Sequence, residues 1–181
     1  TDWSRLNFKA QLDYDRVFKQ HQLTASIFFL SDLYQKYGSR DDIKYLNYAG
    51  RVTYSYNQKY IGEFAASYTG CDDYAPGKRY GFFPAFSAGW ILSKENFMKN
   101  IKLINNLKWR VSYGQTGNNA IGLYDAYGKY STNAKYDGVA GIIPSTMPNL
   151  GLTWEVSTQL DAGFDLSMFN NRLNISADYF D

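Results

Sequence analysis

The sequence predicts an all-β fold: an antiparallel, up-and-down transmembrane β-barrel, to which this chain supplies about eight consecutive strands. Three observations carry that expectation. Apolar and polar residues alternate with a period of two through most of the chain, as they do when successive side chains point to opposite faces of a strand. Aromatic residues are unusually abundant (17 Tyr, 12 Phe and 4 Trp in 181 residues), yet mean hydropathy is −0.44. Strands with one apolar and one polar face produce both numbers. The connections also alternate between short turns and long loops, the arrangement of barrels that cross an outer membrane.

The strands follow in order. The first, about Arg5–Asp15, sets Leu6, Phe8, Ala10, Leu12 and Tyr14 against Asn7, Lys9, Gln11 and Asp13. A turn near Lys19-Gln20-His21 leads to the second, about Gln22–Tyr34, whose alternation blurs at Phe28-Phe29-Leu30. The third and fourth occupy 45–69 and turn at Asn57-Gln58-Lys59. Leu46, Tyr48, Val52, Tyr54 and Tyr56, then Tyr60, Phe64, Ala66 and Tyr68, share one face; Asn47, Arg51, Thr53, Ser55, Glu63 and Ser67 share the other. Small residues in mid-face with tyrosines near the strand ends match an apolar band between two aromatic girdles. The fifth strand is about Tyr80–Leu92, and the sixth, about Leu107–Tyr113, opposes Leu107, Trp109, Val111 and Tyr113 to Lys108, Arg110 and Ser112. The seventh, about Thr158–Met168, and the eighth, from Leu173, meet at Asn170-Asn171-Arg172. Long connections are expected at 35–44, 70–79 and 115–156. Between the fifth and sixth strands Ser93 is expected to cap a small helix with Phe97, Ile101 and Ile104 on one face.

Several classes of function are excluded or unsupported. No apolar run reaches the eighteen residues of a membrane-spanning helix, which says nothing against barrel strands. Net charge is +2 without a Lys/Arg cluster, so no nucleic-acid partner is expected. Cys71 is the single cysteine, which rules out an intrachain disulfide. The chain opens on Thr1 and ends at Asp181 inside a strand pattern, as expected of a piece of a larger protein. His21, the only histidine, is expected in an exposed turn far in sequence from Cys71, so no nucleophile and base pair forms. Cys71-Asp72-Asp73 lacks the spacing of a zinc or calcium site and reads as a solvated loop. Asp161 and Asp165 lie about 13 Å apart along one strand, beyond the roughly 5–9.5 Å of a glycosidase pair. No catalytic residue, metal or cofactor is expected.

Candidate functional residues fall into three groups. Arg51, Glu63, Arg110, Asp161 and Asp165, with Lys9 and Asp13, are expected to line a hydrated lumen. Tyr54, Tyr56, Tyr60, Tyr68, Trp90 and Trp109 fit membrane-interface anchors, because phenol and indole suit a site apolar at one end and wet at the other. Packing inside a soluble sheet is the competing reading for them. The loop tyrosines Tyr74, Tyr124, Tyr127, Tyr130 and Tyr136 are candidates to stack on substrate or meet a lid; holding their own loops together is the alternative. Gly114-Gln115-Thr116-Gly117-Asn118 lacks the Lys-Ser/Thr of a phosphate loop and reads as the exit from a strand.

Four segments carry more than a pattern: Asn47–Tyr56, Tyr80–Trp90, Leu107–Asn118, and Leu152-Thr153-Trp154-Glu155 followed by Thr158–Asp165. In order and spacing they resemble the barrel of SusC/RagA-type TonB-dependent transporters, and the resemblance runs from about Leu6 to the end. The chain departs from the family's habit at Asn149-Leu150-Gly151, where Asn-Pro-Asn or Asn-Pro-Asp is usual, and at Cys71, where serine is common. The resemblance implies a plugged barrel of about 22 strands in the outer membrane of a Bacteroidetes-like bacterium, importing glycans or peptides. It implies a SusD-like surface lipoprotein as lid, energy from TonB–ExbB–ExbD, contact with outer-membrane lipid, and no enzymatic activity. Residues 1–181 are then part of one barrel domain, without its plug and remaining strands. A passive porin, a soluble lipocalin-like barrel with an apolar interior, and an adhesive surface protein stay open as alternatives at this point.

Overall fold

The computed structural model describes residues 2–36, 42–119, 125–136 and 138–181. Eight strands form one antiparallel sheet: β1 (Trp3–Phe18), β2 (His21–Lys36), β3 (Asp42–Tyr56), β4 (Tyr60–Cys71), β5 (Tyr80–Ile91), β6 (Ile104–Asn118), β9 (Glu155–Met168) and β10 (Leu173–Phe180). They lie side by side in that order. Two further strands, β7 (Lys129–Tyr136) and β8 (Val139–Thr146), pair only with each other. All eight expected strands are present. Several run longer than the alternation indicated, because polar ends such as Thr116 and Asn118 keep pairing where the pattern has stopped.

Tight turns on one rim set the register. Asn57 and Gln58 have φ of 51° and 53°, the paired left-handed geometry of a type I′ hairpin turn, whose twist matches the flanking strands. Lys19 (54°) and the run Phe169, Asn170 and Asn171 (54° to 62°) turn the other hairpins.

With register fixed, residues far apart in sequence become neighbours. One row crosses seven strands as Phe18, His21, Tyr56, Tyr60, Trp90, Trp109 and Phe164. The next row is smaller from β4 onward, with Gly62, Ala88, Val111 and Ala162 following Tyr54 on β3. Beyond it comes a second bulky row, Val52, Phe64, Phe86, Tyr113 and Leu160. Ring contacts stitch the first row together, with centroids 4.9 Å apart for His21 and Tyr56, 6.4 Å for Tyr56 and Tyr60, and 6.2 Å for Tyr60 and Trp90. His21 therefore opens β2 within an aromatic row and is not a turn residue; its Nδ1 lies 2.6 Å from the Tyr54 hydroxyl.

Almost none of this apolar face is covered by protein, and Leu6, Leu12, Ile27, Phe82, Phe86 and Trp109 are each more than half exposed. The chain's accessible surface is 13197 Å², against about 8,900 Å² for a compact monomer of its mass. The surplus is the two bare faces of an open sheet. In hydrocarbon such a face is at home, since every backbone group inside the sheet is paired.

Two further expectations are corrected. Residues 93–106 do not form a helix: a 3₁₀ turn at Leu92–Lys94 is followed by successive i to i+3 bonds, Met98 to Glu95 and Ile101 to Met98. The expected cap is diverted, because the Ser93 hydroxyl donates to Asn106 Oδ1 at 3.2 Å. The 115–156 loop is partly strand, holding the β7–β8 hairpin with Gly138 at φ 76° in its turn.

Candidate functional site

The polar face is organised by small residues on β5. Ala85, Ser87 and Gly89 floor a groove whose walls are Arg51 and Glu63 on one side and Arg110, Ser112 and Asp161 on the other, enclosing cavities of about 290 and 270 Å³. Glu63 accepts from Arg51 at 2.8 Å and from the Thr53 hydroxyl at 3.0 Å. Arg110 stands between Gly89 and Gly163 across the sheet, and reaches Asp178 at 2.6 Å and Asp165 at 3.3 Å. A Cβ on residue 163 would lie 2.1 Å from Asp178 Oδ1, so glycine is required for that approach. Ser176 donates to Asp165 at 2.8 Å. Among the described residues, Asp161 keeps one buried oxygen, Oδ1, without a hydrogen-bond partner. These pairs are each about a third or more exposed on at least one side, so they hold side chains in place more than they stabilise the sheet. Together they make a polar surface carrying both charges, with donors and acceptors for hydrogen bonds. Among the described residues no group of three His, Cys, Asp or Glu converges on a metal-sized site.

At the long-loop rim the structure builds the most enclosed core of the described residues. Cys71, Tyr74, Phe83 and Trp154 form one cluster, with Tyr45 and Leu152 against it. Trp154 meets Phe83 edge-on and Tyr74 at a tilt, both with centroids 5.5 Å apart. Its Nε1 donates to the Arg79 carbonyl at 3.1 Å, and Arg79 Nε donates to the Tyr74 carbonyl at 3.1 Å. Phe83 is admitted by two glycines: a Cβ at Gly117 would stand 1.9 Å from its ring, and one at Gly81 2.4 Å. Asp73 is drawn in beside the Cys71 thiol, and burial pushes its carboxyl above the usual range. The loop after β4, the end of β6 and the segment before β9 are thereby tied into one knot. Sequence reasoning read Cys71-Asp72-Asp73 as a solvated loop; Cys71 and Asp73 are instead buried. The available signal was Gly81 and Gly117, flat spots aligned with an aromatic on the otherwise polar face.

At the opposite rim Glu95 collects three donors: Tyr60 Oη at 2.7 Å, Lys59 Nζ at 3.0 Å and Trp90 Nε1 at 3.2 Å. They lower its pKa to about 2, the Tyr60 bond contributing most.

The sequence candidates fall into place unevenly. Arg51, Glu63, Arg110, Asp161 and Asp165 all stand on the polar face, the first four around one groove. Tyr56, Tyr60, Trp90 and Trp109 share one row, Tyr54 lies one row in, and Tyr68 lies toward the other rim, stacked on Tyr80 at 5.0 Å. Of the loop tyrosines, Tyr74 is wholly enclosed, 0% exposed, and presents no surface to a ligand. Its packing inside the knot is the physical reason. Tyr127 precedes β7, Tyr130 is exposed on it, and Tyr136 ends it. Tyr124 lies outside the described residues.

A broad antiparallel sheet with one aromatic, uncovered face and one charged face defines a segment of β-barrel wall. The family model for the TonB dependent receptor-like β-barrel matches residues 1–181, and the chain belongs to that family. It is 41% identical over 134 residues to TonB-dependent receptor P3 of Formosa agariphila, covering 72% of this chain and 13% of the relative. It is 30% identical over 152 residues to TonB-dependent receptor SusC of Bacteroides thetaiotaomicron, covering 80% of this chain and 15% of SusC. The chain thus spans only a small part of the length of these relatives, both named as TonB-dependent receptors. A solved structure of the RagAB peptide transporter superposes with a TM-score of 0.83 at 19% identity, over 98% of this chain and 23% of that one; this is a likeness of fold.

Proposed function

We propose that residues 1–181 are part of the barrel domain of an outer-membrane transporter that imports oligosaccharides or peptides. A SusD-like lipoprotein serves as its lid, and TonB–ExbB–ExbD, acting through other parts of the protein, supplies the energy. The observation that carries the reading is the division of the sheet into two faces. The apolar face, with its aromatic row, meets outer-membrane lipid, and the face of Arg51, Glu63, Arg110, Asp161 and Asp165 lines the lumen. Tyr54, Tyr56, Tyr60, Tyr68, Trp90 and Trp109 then stand in two girdles. Family membership favours this reading over a passive porin, and the charged second face counts against a lipocalin-like module, which would hide apolar residues inside. The name of the RagAB peptide transporter supports peptide cargo, and glycan cargo is what the resemblance to SusC-type transporters implies. The β7–β8 hairpin supports a lid, because Tyr130, Val139 and Ile142 on it are each at least 70% exposed.

Spin labels at Val52, Ala66 and Phe164, beside labels at Thr53, Ser67 and Asp165 in the full-length protein, test the wall. The first set should relax with lipid-soluble oxygen and the second with an aqueous agent; a first set shielded from both sinks the reading. Uptake of labelled oligosaccharides and peptides by cells carrying the full-length protein should stop when the proton gradient is collapsed. Uptake that persists would mean passive diffusion.

A further inference from the structure

The connection between β5 and β6, residues 92–103, has no part in the transport reading. It carries Lys94, Lys99 and Lys102 against a single acid, Glu95. That acid is already engaged by Tyr60, Lys59 and Trp90, so the three lysines are what the connection offers to its surroundings. The fastening also fixes which way the connection faces. Tyr60 and Trp90 belong to the aromatic row on the apolar face, and they hold Glu95 on that side of the sheet. Lys94, Lys99 and Lys102 are all exposed, and Phe97 (64%), Ile101 (43%) and Leu103 (46%) are exposed beside them in the same connection. Lys94 Nζ donates one bond, to Gln58 Oε1 at 3.2 Å, and an ammonium has two further protons to give.

The same face continues inward from this rim into a groove of about 620 Å³. Ala88, Val111 and Ala162 floor it, and Tyr60, Trp90 and Trp109 wall it. An occupant that satisfies both regions needs an anionic head at the lysines and a hydrocarbon tail in the groove. A protein partner would match the rim and leave the groove empty.

We infer that the short-turn rim between β5 and β6 is a binding site for an anionic phospholipid. Lys94, Lys99 and Lys102 hold its headgroup, Phe97 and Ile101 sit at the interface, and one acyl chain lies between Trp90 and Trp109. The inference rests on the reading that the apolar face meets lipid. Basic residues next to apolar and aromatic anchors at a membrane surface select anionic lipid by charge.

The test uses the full-length protein in nanodiscs of equal parts phosphatidylglycerol and phosphatidylethanolamine, released for native mass spectrometry. The wild type should retain phosphatidylglycerol in preference to phosphatidylethanolamine. K94Q/K99Q/K102Q should cut that preference at least about tenfold, and F97S/I101S should shorten retention of both lipids. A triple variant with the wild-type ratio, or a wild type without preference, overturns the site while leaving the membrane reading standing. Failure of the wild type to enter nanodiscs overturns both.

Discussion

The barrel wall and the knot at its long-loop rim are built on opposite physical plans. In the wall, the successive ladders from β1 across to β10 pair the backbone inside the sheet while large side chains such as Leu12, Phe86 and Trp109 stay uncovered by protein. In the knot, Cys71, Tyr74, Phe83 and Trp154 are buried against one another as in a water-soluble domain. The difference teaches where each part finds its stability. The wall depends on its surroundings and on pairing, so single side chains on it matter little. The knot depends on its own packing, so single side chains there matter a great deal.

Replacing Trp154 by alanine should show the contrast most strongly. It removes the contacts with Phe83 and Tyr74 and the bond to the Arg79 carbonyl, at a cost of about 3–5 kcal/mol to the knot. Hydrogen exchange in the full-length protein should show residues 72–79 losing protection while β1–β3 keep theirs; uniform loss would mean the two regions are not separable. Gly117→Ala comes next, at about 1–3 kcal/mol, because the Phe83 ring must move. Gly62→Ala, on the wall with nothing within 4 Å of the new carbon, should stay within about 0.5 kcal/mol. Equal effects in thermal unfolding would erase the distinction.

Acid should act on the two rims with opposite sign. Burial raises the Asp73 carboxyl, so the folded knot holds that proton more tightly than the unfolded chain. Its contribution is complete below the ordinary aspartate range and declines as pH rises through the raised value. Glu95 is lowered from 4.5 to about 2 by its three donors, so its fastening is complete above about 4.5 and is lost as pH falls toward 2. Hydrogen exchange, corrected for intrinsic rates, should show residues 72–79 tightening as pH falls to the ordinary aspartate range and residues 92–98 loosening as it falls from about 4.5 toward 2. D73N should remove the first trend only. Arg110→Ala should also cost little, about 1 kcal/mol or less in unfolding, since its ion pairs with Asp165 and Asp178 are more than a third solvent-exposed.

Legibility in the sequence followed the same division. The wall was readable because period-two alternation is a local property: Leu107, Trp109, Val111 and Tyr113 announce their face without reference to any other strand. The aromatic row was half readable. Tyr56, Tyr60, Trp90 and Trp109 could be named as a group, but their alignment with Phe18, His21 and Phe164 depends on six registers that no single segment encodes. The knot was not readable, since Trp154 and Cys71 meet only after β6 and β9 pair, and Tyr74 therefore looked like a loop residue open to ligand. The Ser93 cap failed because Asn106, on the next strand, captured its hydroxyl. The β7–β8 hairpin did leave a signal, the Asp137-Gly138 dipeptide favoured in tight hairpin turns.

The strand order also bears on how the wall assembles. Each neighbour pair in the eight-strand sheet is consecutive in sequence except β6 with β9. Hairpins of consecutive strands close on a timescale of microseconds, whereas bridging from Asn118 to Glu155 first has to overcome the closure entropy of a long segment. Early formation of the β7–β8 hairpin shortens the effective length of that segment. Zipping of this chain should therefore stall at the seam between β6 and β9, and it is there that a nascent wall stays open longest.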